Sequence, residues 1–326
     1  MEIRNLMSAD FSYGQWEAKM HRHSDISNIG VVEIVKSAIA DGRASFNVQS
    51  VHSVEPFDAV FYRECLATLQ GTDGCHYGAG IFIPTLEELG YCSLIDENVV
   101  RLALDELEID PCAVLGCNIS ADNLRNRETW DLIAGQVRSR PTLASRLVLE
   151  LTETRPLLDV TRSVNMLNEM RELGCRIALD DFGAGYASPQ LLRLVDFDIV
   201  KIDRSFLQPT RRSCLDLDAL AHLISFASCY SPVVVMEGVE TIEDAQSAAL
   251  CGATHLQGYG ISLPVPVSAN KTGFRGSYAT QAADITCPNV APGSASNVYR
   301  AHHDGHLKSR PPGESRQAPL PVTDFP

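Results

Sequence analysis

No apolar run in this sequence reaches the ~18 residues that a membrane-spanning helix needs, so no helical span is expected. The first residues carry Glu2, Arg4 and Asp10 with no apolar stretch among them, which excludes a secretory leader and points to a cytoplasmic protein. No Cys-x-x-Cys pair occurs among the ten cysteines, which are scattered from Cys65 to Cys287. Several sit inside apolar runs, as small buried side chains do, so a disulfide framework is not expected. Positive charge is scarce: 27 Lys and Arg face 41 Asp and Glu, a net charge of −14. That balance excludes a broad basic face for nucleic acid. It leaves room for a small phosphorylated ligand where metal ions reverse the local sign.

What is present is a soluble, globular composition, 45% apolar and 21% charged, in 326 residues, enough for one domain of barrel size. Residues 1–25 read as an N-terminal extension and 26–267 as the folded domain. Residues 268–326 hold seven of the 17 prolines, much Ser, Gly and Asn, and almost no apolar periodicity. Such a segment cannot bury enough surface to offset its ordering entropy, and it reads as a disordered tail. A His302-His303-x-x-His306 cluster falls within it.

Between these ends, strand-like and helical runs alternate. The strand-like runs are 44–51, 58–62, 113–117, 147–151, 176–179, 198–202, 233–236 and 255–257; helical spacing marks 26–41, 96–108, 162–173 and 242–250. Runs such as Leu147-Val148-Leu149 and Val233-Val234-Val235 are apolar throughout, the mark of strands buried on both faces of a parallel sheet. Eight of them in this length favour an α/β fold closed as a TIM-like (β/α)8 barrel over an open sheet.

Nearly every strand-like run ends in a group able to bind metal or phosphate. Asn118 ends one, Glu150 the next, then Asp180 with Asp181, Lys201 with Asp203, Glu237, and finally Gln257. In a parallel barrel such ends converge on one face. Singly, each acid could be a helix cap. Together they form a carboxylate cluster that raises its own pKa values unless divalent cations neutralise it, and all-oxygen ligands suit Mg²⁺ or Mn²⁺.

Residues 176–207, RIALDDFGAGYASPQLLRLVDFDIVKIDRSFL, resemble the signature loop of EAL-domain cyclic-di-GMP phosphodiesterases. The runs VLELTET (148–154), CNIS (117–120), EGVET (237–241), LQGYGIS (256–262) and AIADGRASFNVQSV (38–51) are similar to the family's other motifs, in the family's order. The Asp181-Phe182-Gly183 triplet also spells the kinase metal motif, but no Gly-rich loop or catalytic His-Arg-Asp accompanies it. The resemblance implies a modified, EAL-type barrel with two Mg²⁺ or Mn²⁺ ions and hydrolysis of cyclic-di-GMP to linear pGpG. It makes Glu64, Asn118, Glu150 and Asp180 ligands of one ion and Asp181 a ligand of the second, with Asp180 shared and Asp203 beside the metals. It makes Glu237 a ligand or general base and Lys201 the residue that positions the attacking water. Glu153 would anchor the loop at 181–188, and Gln49 and Gln257 would line the substrate site. It also implies pairing into a homodimer.

Two departures stand out. The family has Arg four residues after its first Glu, where this chain has Thr68, and Ala where this chain has Cys65. The second barrel strand is therefore the least secure element, and a catalytically weak or inactive EAL domain, acting as a cyclic-di-GMP receptor or protein-interaction module, is the alternative. An unrelated metal-dependent barrel enzyme is a third reading.

Overall fold

The computed structural model describes residues 28–56, 59–152, 157–184, 189–207 and 214–267. The expected N-terminal extension, the tail and the histidine cluster lie outside the described residues. Helix α1 (Asn28–Ala40) leads into β1 (Ala44–Ser53), β2 (Val60–Gln70) and a short β3 (His76–Gly78). Then follow α2 (Ala79–Leu89), α3 (Cys92–Ile109), β4 (Leu115–Ser120), α4 (Arg127–Arg138), β5 (Leu147–Thr152), α5 (Val160–Glu172) and β6 (Arg176–Phe182). The domain closes with α6 (Pro189–Leu194), β7 (Ile199–Ile202), α7 (Cys214–Ser228), β8 (Val233–Met236), α8 (Ile242–Leu250), β9 (His255–Leu256) and β10 (Val265–Pro266). Among the described residues no helix is long and apolar enough to cross a membrane.

Eight strands close the barrel in the order β1-β2-β4-β5-β6-β7-β8-β9, with β9 returning to β1; β3 and β10 are added at the edges of β2 and β1. All eight expected strand-like runs contribute a barrel strand. One expectation changes: the sheet is not wholly parallel. Strand β1 runs antiparallel to both neighbours, with Gln49 opposite Glu64 and Val51 opposite Tyr62 on β2. A direct β1–β2 connection permits this, since a parallel pair needs a crossover of a dozen or more residues. Strand β2 is also longer than the run at 58–62, because the charged Arg63-Glu64 pair interrupts an apolar pattern that the strand itself continues to Gln70.

Local chemistry sets the helix boundaries. Thr241 and Asp244 form a reciprocal capping box at the start of α8, Asp159 accepts from Arg162 N at α5, and Gly90 adopts φ 73° to end α2. Most of the core lies between the barrel's outer surface and its helices, where Leu104, Leu107, Trp130, Ile133 and Met170 are fully buried. Each such side chain stabilises the fold by about 1.5–3 kcal/mol. A second, smaller cluster fills the barrel itself: Val51, Tyr62, Val148, Ala178, Ile199 and Val235, one from each of six strands. The cysteines at 65, 92, 117 and 175 are buried and free.

Candidate active site

The inner apolar cluster is the floor on which the polar residues stand. Side chains alternate faces along a strand, so the residue two positions beyond each floor residue also points into the barrel. Tyr62 is followed by Glu64, Val148 by Glu150, Ala178 by Asp180, Ile199 by Lys201 and Val235 by Glu237. Because β1 is reversed, its polar residue precedes its floor residue: Gln49 comes before Val51. One rule of period two thus places six groups at one level.

Lys201 is the centre. Its Nζ lies 2.8 Å from Glu150 Oε2, 2.8 Å from Glu237 Oε1, 2.9 Å from Asp180 Oδ1 and 3.2 Å from Glu64 Oε2. The lysine and Glu150 are wholly inaccessible to solvent. Burial alone would lower the ammonium's pKa, yet Asp180, Glu150, Glu237 and Glu64 together hold it well above the usual lysine range. Glu64 receives donors on both oxygens: Asn118 Nδ2 at 2.7 Å on Oε1 and Gln257 Nε2 at 2.6 Å on Oε2. Burial pushes its pKa up, but Lys201 and the Asn118 and Gln257 donors outweigh burial and hold it below the normal glutamate value.

The other acids are not so well served. Burial pushes Glu150 up to about 8, with Glu64 and Asp180 adding to the rise against Lys201. Burial likewise raises Asp180, with Glu64 adding to it, and raises Glu237 strongly, with Asp180 and Glu64 adding. Four carboxylates around one ammonium leave an excess of negative charge that a further cation would relieve.

Asp181 reaches the cluster by a different route. As Asp180 points inward, the next strand residue should point out toward the helices. The β6–β7 register shifts between Leu179 and Phe182, and Asp181 has φ 53°, the one non-glycine residue with positive φ among those described. This left-handed twist turns its carboxylate to the side of Asp180. Burial and the neighbouring Asp180 push it to about 7. Such a conformation is disfavoured for a residue with a Cβ and is held where the surroundings impose it, often at functional sites.

Two sets of carboxylates have oxygens within 4.8 Å of one another: Glu64 with Glu150 and Asp180, and Asp180 with Asp181 and Glu237. Asp180 belongs to both. Asn118 Oδ1 and Glu150 Oε1 are buried here without hydrogen-bond partners. Orphaned buried oxygens beside an all-oxygen acidic set fit hard divalent cations, and the residues present therefore suit metal binding.

The remaining expected residues fall as follows. Asp203 is outside both carboxylate sets; its Oδ1 accepts from Ser205 N at 3.0 Å, capping a short turn, and its charge contributes to the rise at Asp181. Gln49 donates to Ser262 O at 2.8 Å and accepts from Gln257 Nε2 at 3.3 Å, so the two amides form a chain that ends on Glu64. Gln257 Oε1 is the atom of that chain left without a partner. Glu153 lies outside the described residues. Thr68 falls on the same face of β2 as Glu64, half-buried, between Ser45 of β1 and Gly78 of β3.

The loops after β8 and β9 are joined backbone to backbone. Val239 N donates to Gln257 O at 3.0 Å, and Gly260 N to Val239 O at 2.8 Å. Any side chain at Gly258 would overlap Val239's backbone. This seam fixes Glu237 relative to Gln257. A cavity of about 310 Å³ adjoins the carboxylates, lined by Leu66, Ile83, Pro84, Asn118, Thr152, Asp180 and Asp181 among others. Sequence reading passed over Tyr62, whose hydroxyl lies 3.2 Å from Glu150 Oε2. The signal that finds it is its position two residues before Glu64.

A family model described as the EAL domain matches residues 32–264. Cyclic di-GMP phosphodiesterase PdeF of Escherichia coli is 30% identical over 210 residues, 63% of this chain and 28% of PdeF. Cyclic di-GMP phosphodiesterase NbdA of Pseudomonas aeruginosa is 31% identical over 240 residues, 71% of this chain and 28% of NbdA. The chain thus spans a little over a quarter of the length of these relatives. Among solved structures, an EAL domain protein from Listeria monocytogenes superposes with a TM-score of 0.65 at 20% identity, covering 77% of this chain and 98% of that one. The PaMucR phosphodiesterase in complex with c-di-GMP gives 0.64 at 22% identity, covering 74% and 99%.

Proposed function

The chain belongs to the EAL-domain family, and on that premise we propose that it is a metal-dependent phosphodiesterase opening cyclic-di-GMP to linear pGpG. The observation that carries the reading is the pair of carboxylate sets sharing Asp180 around the buried Lys201 ammonium. Two relatives bear the name cyclic di-GMP phosphodiesterase, and the similarly folded PaMucR phosphodiesterase is in complex with c-di-GMP.

Glu64, Asn118, Glu150 and Asp180 would hold one ion, and Asp180 and Asp181 the other, with Glu237 either a third ligand there or the general base, Mg²⁺ or Mn²⁺ suiting the oxygen donors. When bound, the ions supply charge neutralisation and a water acidified toward neutral pH. The chain's own residues do the rest. Lys201 presents a permanent positive charge that orients the attacking water and offsets phosphate charge. As general base, Glu237 at the rim of the cluster would accept a proton from the attacking water. Water oxygen bonds to one phosphorus, and one ester bond of the ring breaks. The leaving ribose oxygen would take a proton from solvent, so one end of the product carries a phosphate and the other a hydroxyl. Gln257 donates to Glu64 and is itself held by Gln49, so the two amides keep Glu64 in place. The cavity beside Asp180 and Asp181 offers apolar walls at Leu66, Ile83 and Pro84 for a base.

A second reading, a receptor that binds cyclic-di-GMP without cutting it, draws on Thr68, a short neutral side chain where the family has a guanidinium. Incubating the protein with cyclic-di-GMP and Mn²⁺, followed by chromatography, separates the two. Accumulation of pGpG supports hydrolysis; cyclic-di-GMP retained by the protein but left intact supports the receptor.

A further inference from the structure

We infer that Tyr62 is a positioning residue for the metal site, fixing the plane of the Glu150 carboxylate; this rests on the two-ion reading above. Tyr62 stands in the apolar floor of the barrel with Val51, Val148, Ala178, Ile199 and Val235, essentially without solvent contact. A phenol in such a layer is costly unless its hydroxyl finds a partner. The partner is Glu150 Oε2, at 3.2 Å, the same oxygen that receives Lys201 Nζ at 2.8 Å. Two donors on one oxygen fix the plane of the carboxylate and leave Oε1 as the atom without a partner. Glu150 is fully buried, and no other hydrogen-bond donor to it is found among the described residues.

The neighbouring strand is shaped to allow this. Gly116, on β4 opposite Glu64, has no side chain where one would overlap both Glu150 Oε1 and the Tyr62 ring, whose Cε2 would lie 2.6 Å from the added carbon. Glycine inside a strand marks a place where another group approaches closely. Here it opens the space in which the phenol reaches beneath the carboxylate. Tyr62 and Gly116 therefore act together, one supplying the donor and the other the room. Hydrogen-bond partners behind a metal ligand orient it and typically change metal affinity by about 10–100-fold when removed.

The test is Mn²⁺ binding, measured by calorimetry on chelator-treated, dialysed protein without substrate. Tyr62→Phe keeps the ring and removes only the hydroxyl. It is expected to weaken Mn²⁺ binding about tenfold, the low end for a removed partner, while the metal-free melting temperature stays within about 2 °C, below the shift expected of 1 kcal/mol in a domain this size. Tyr62→Met serves the same comparison should Phe perturb the fold. In a Glu150→Gln background, Tyr62→Phe should have no further effect, because its action runs through that carboxylate. Wild-type affinity in Tyr62→Phe, or an equal loss in the Glu150→Gln background, overturns the inference and leaves the two-ion reading standing. A wild-type protein that binds no Mn²⁺ overturns both.

Discussion

Replacing Lys201 by Met removes the ammonium at the centre of the cluster and leaves Glu64, Glu150, Asp180 and Glu237 facing one another with their oxygens 2.8–3.2 Å from where it stood. Breaking a buried ion pair by deleting one partner costs about 3–5 kcal/mol, because the charge left behind has no compensation. In a domain of this size each kcal/mol moves the melting temperature by roughly 2–4 °C. Lys201→Met should therefore melt about 6–20 °C below wild type in EDTA. Part of that loss should return with Mn²⁺, since an ion bound by the folded state alone stabilises it by mass action and neutralises the same carboxylates. It should also shrink at lower pH, where the orphaned acids protonate. Differential scanning fluorimetry in EDTA and in Mn²⁺ reads both effects. A Lys201→Met protein that melts within about 2 °C of wild type in EDTA would refute the view that the ammonium is what makes this cluster tolerable.

The metal-free wild type should lose stability as pH rises from about 4 to about 8. Glu150, at about 8, and Asp181, at about 7, bind protons more tightly folded than unfolded, so what they contribute is full below the unfolded carboxylate range and lost as pH passes their folded values. Melts in EDTA across that window check the slope, and a rise in stability contradicts it. Replacing Glu64, Glu150 or Asp180 by Ala should abolish turnover with Mn²⁺ while leaving the far-UV circular dichroism spectrum unchanged. Thr68→Arg should lower KM for cyclic-di-GMP by about tenfold or more with little change in kcat, as a charge-assisted contact worth roughly 1.5–3 kcal/mol would do; an unchanged KM means that position 68 does not meet the phosphate. A chain ending at Val267 should melt within about 2 °C of the full sequence, and a larger drop means that residues 268–326 pack on the domain.

The barrel and most of its site were legible because both follow from alternation along strands. Leu147–Leu151 and Val233–Met236 read as buried strands, and the acids that close them, Glu150 and Glu237, stand where a period of two puts them. Reading failed where geometry depends on something outside the local run. The reversal of β1 reflects how the chain closes on β9, which no residue of 44–53 encodes alone. The length of β2 was hidden because Glu64 breaks an apolar pattern from inside the barrel, where its partners Asn118, Lys201 and Gln257 come from three distant strands. Adjacent Asp180 and Asp181 would point to opposite faces of a regular strand, and only the φ of 53° at Asp181 brings both to the cluster. Tyr62 looks like an ordinary core aromatic until Glu150 is placed above it. The hydrogen-bond chain from Ser262 through Gln49 and Gln257 to Glu64 exists only once the barrel is shut.

The most direct measurement strips the protein with EDTA, removes the chelator and adds Mn²⁺ back stepwise while pGpG is followed by chromatography. The account predicts no product in the stripped protein, recovery of turnover that saturates as two ions bind per chain, and no recovery in Asp180→Ala. Undiminished hydrolysis in excess EDTA, or full activity in Asp180→Ala, would contradict it.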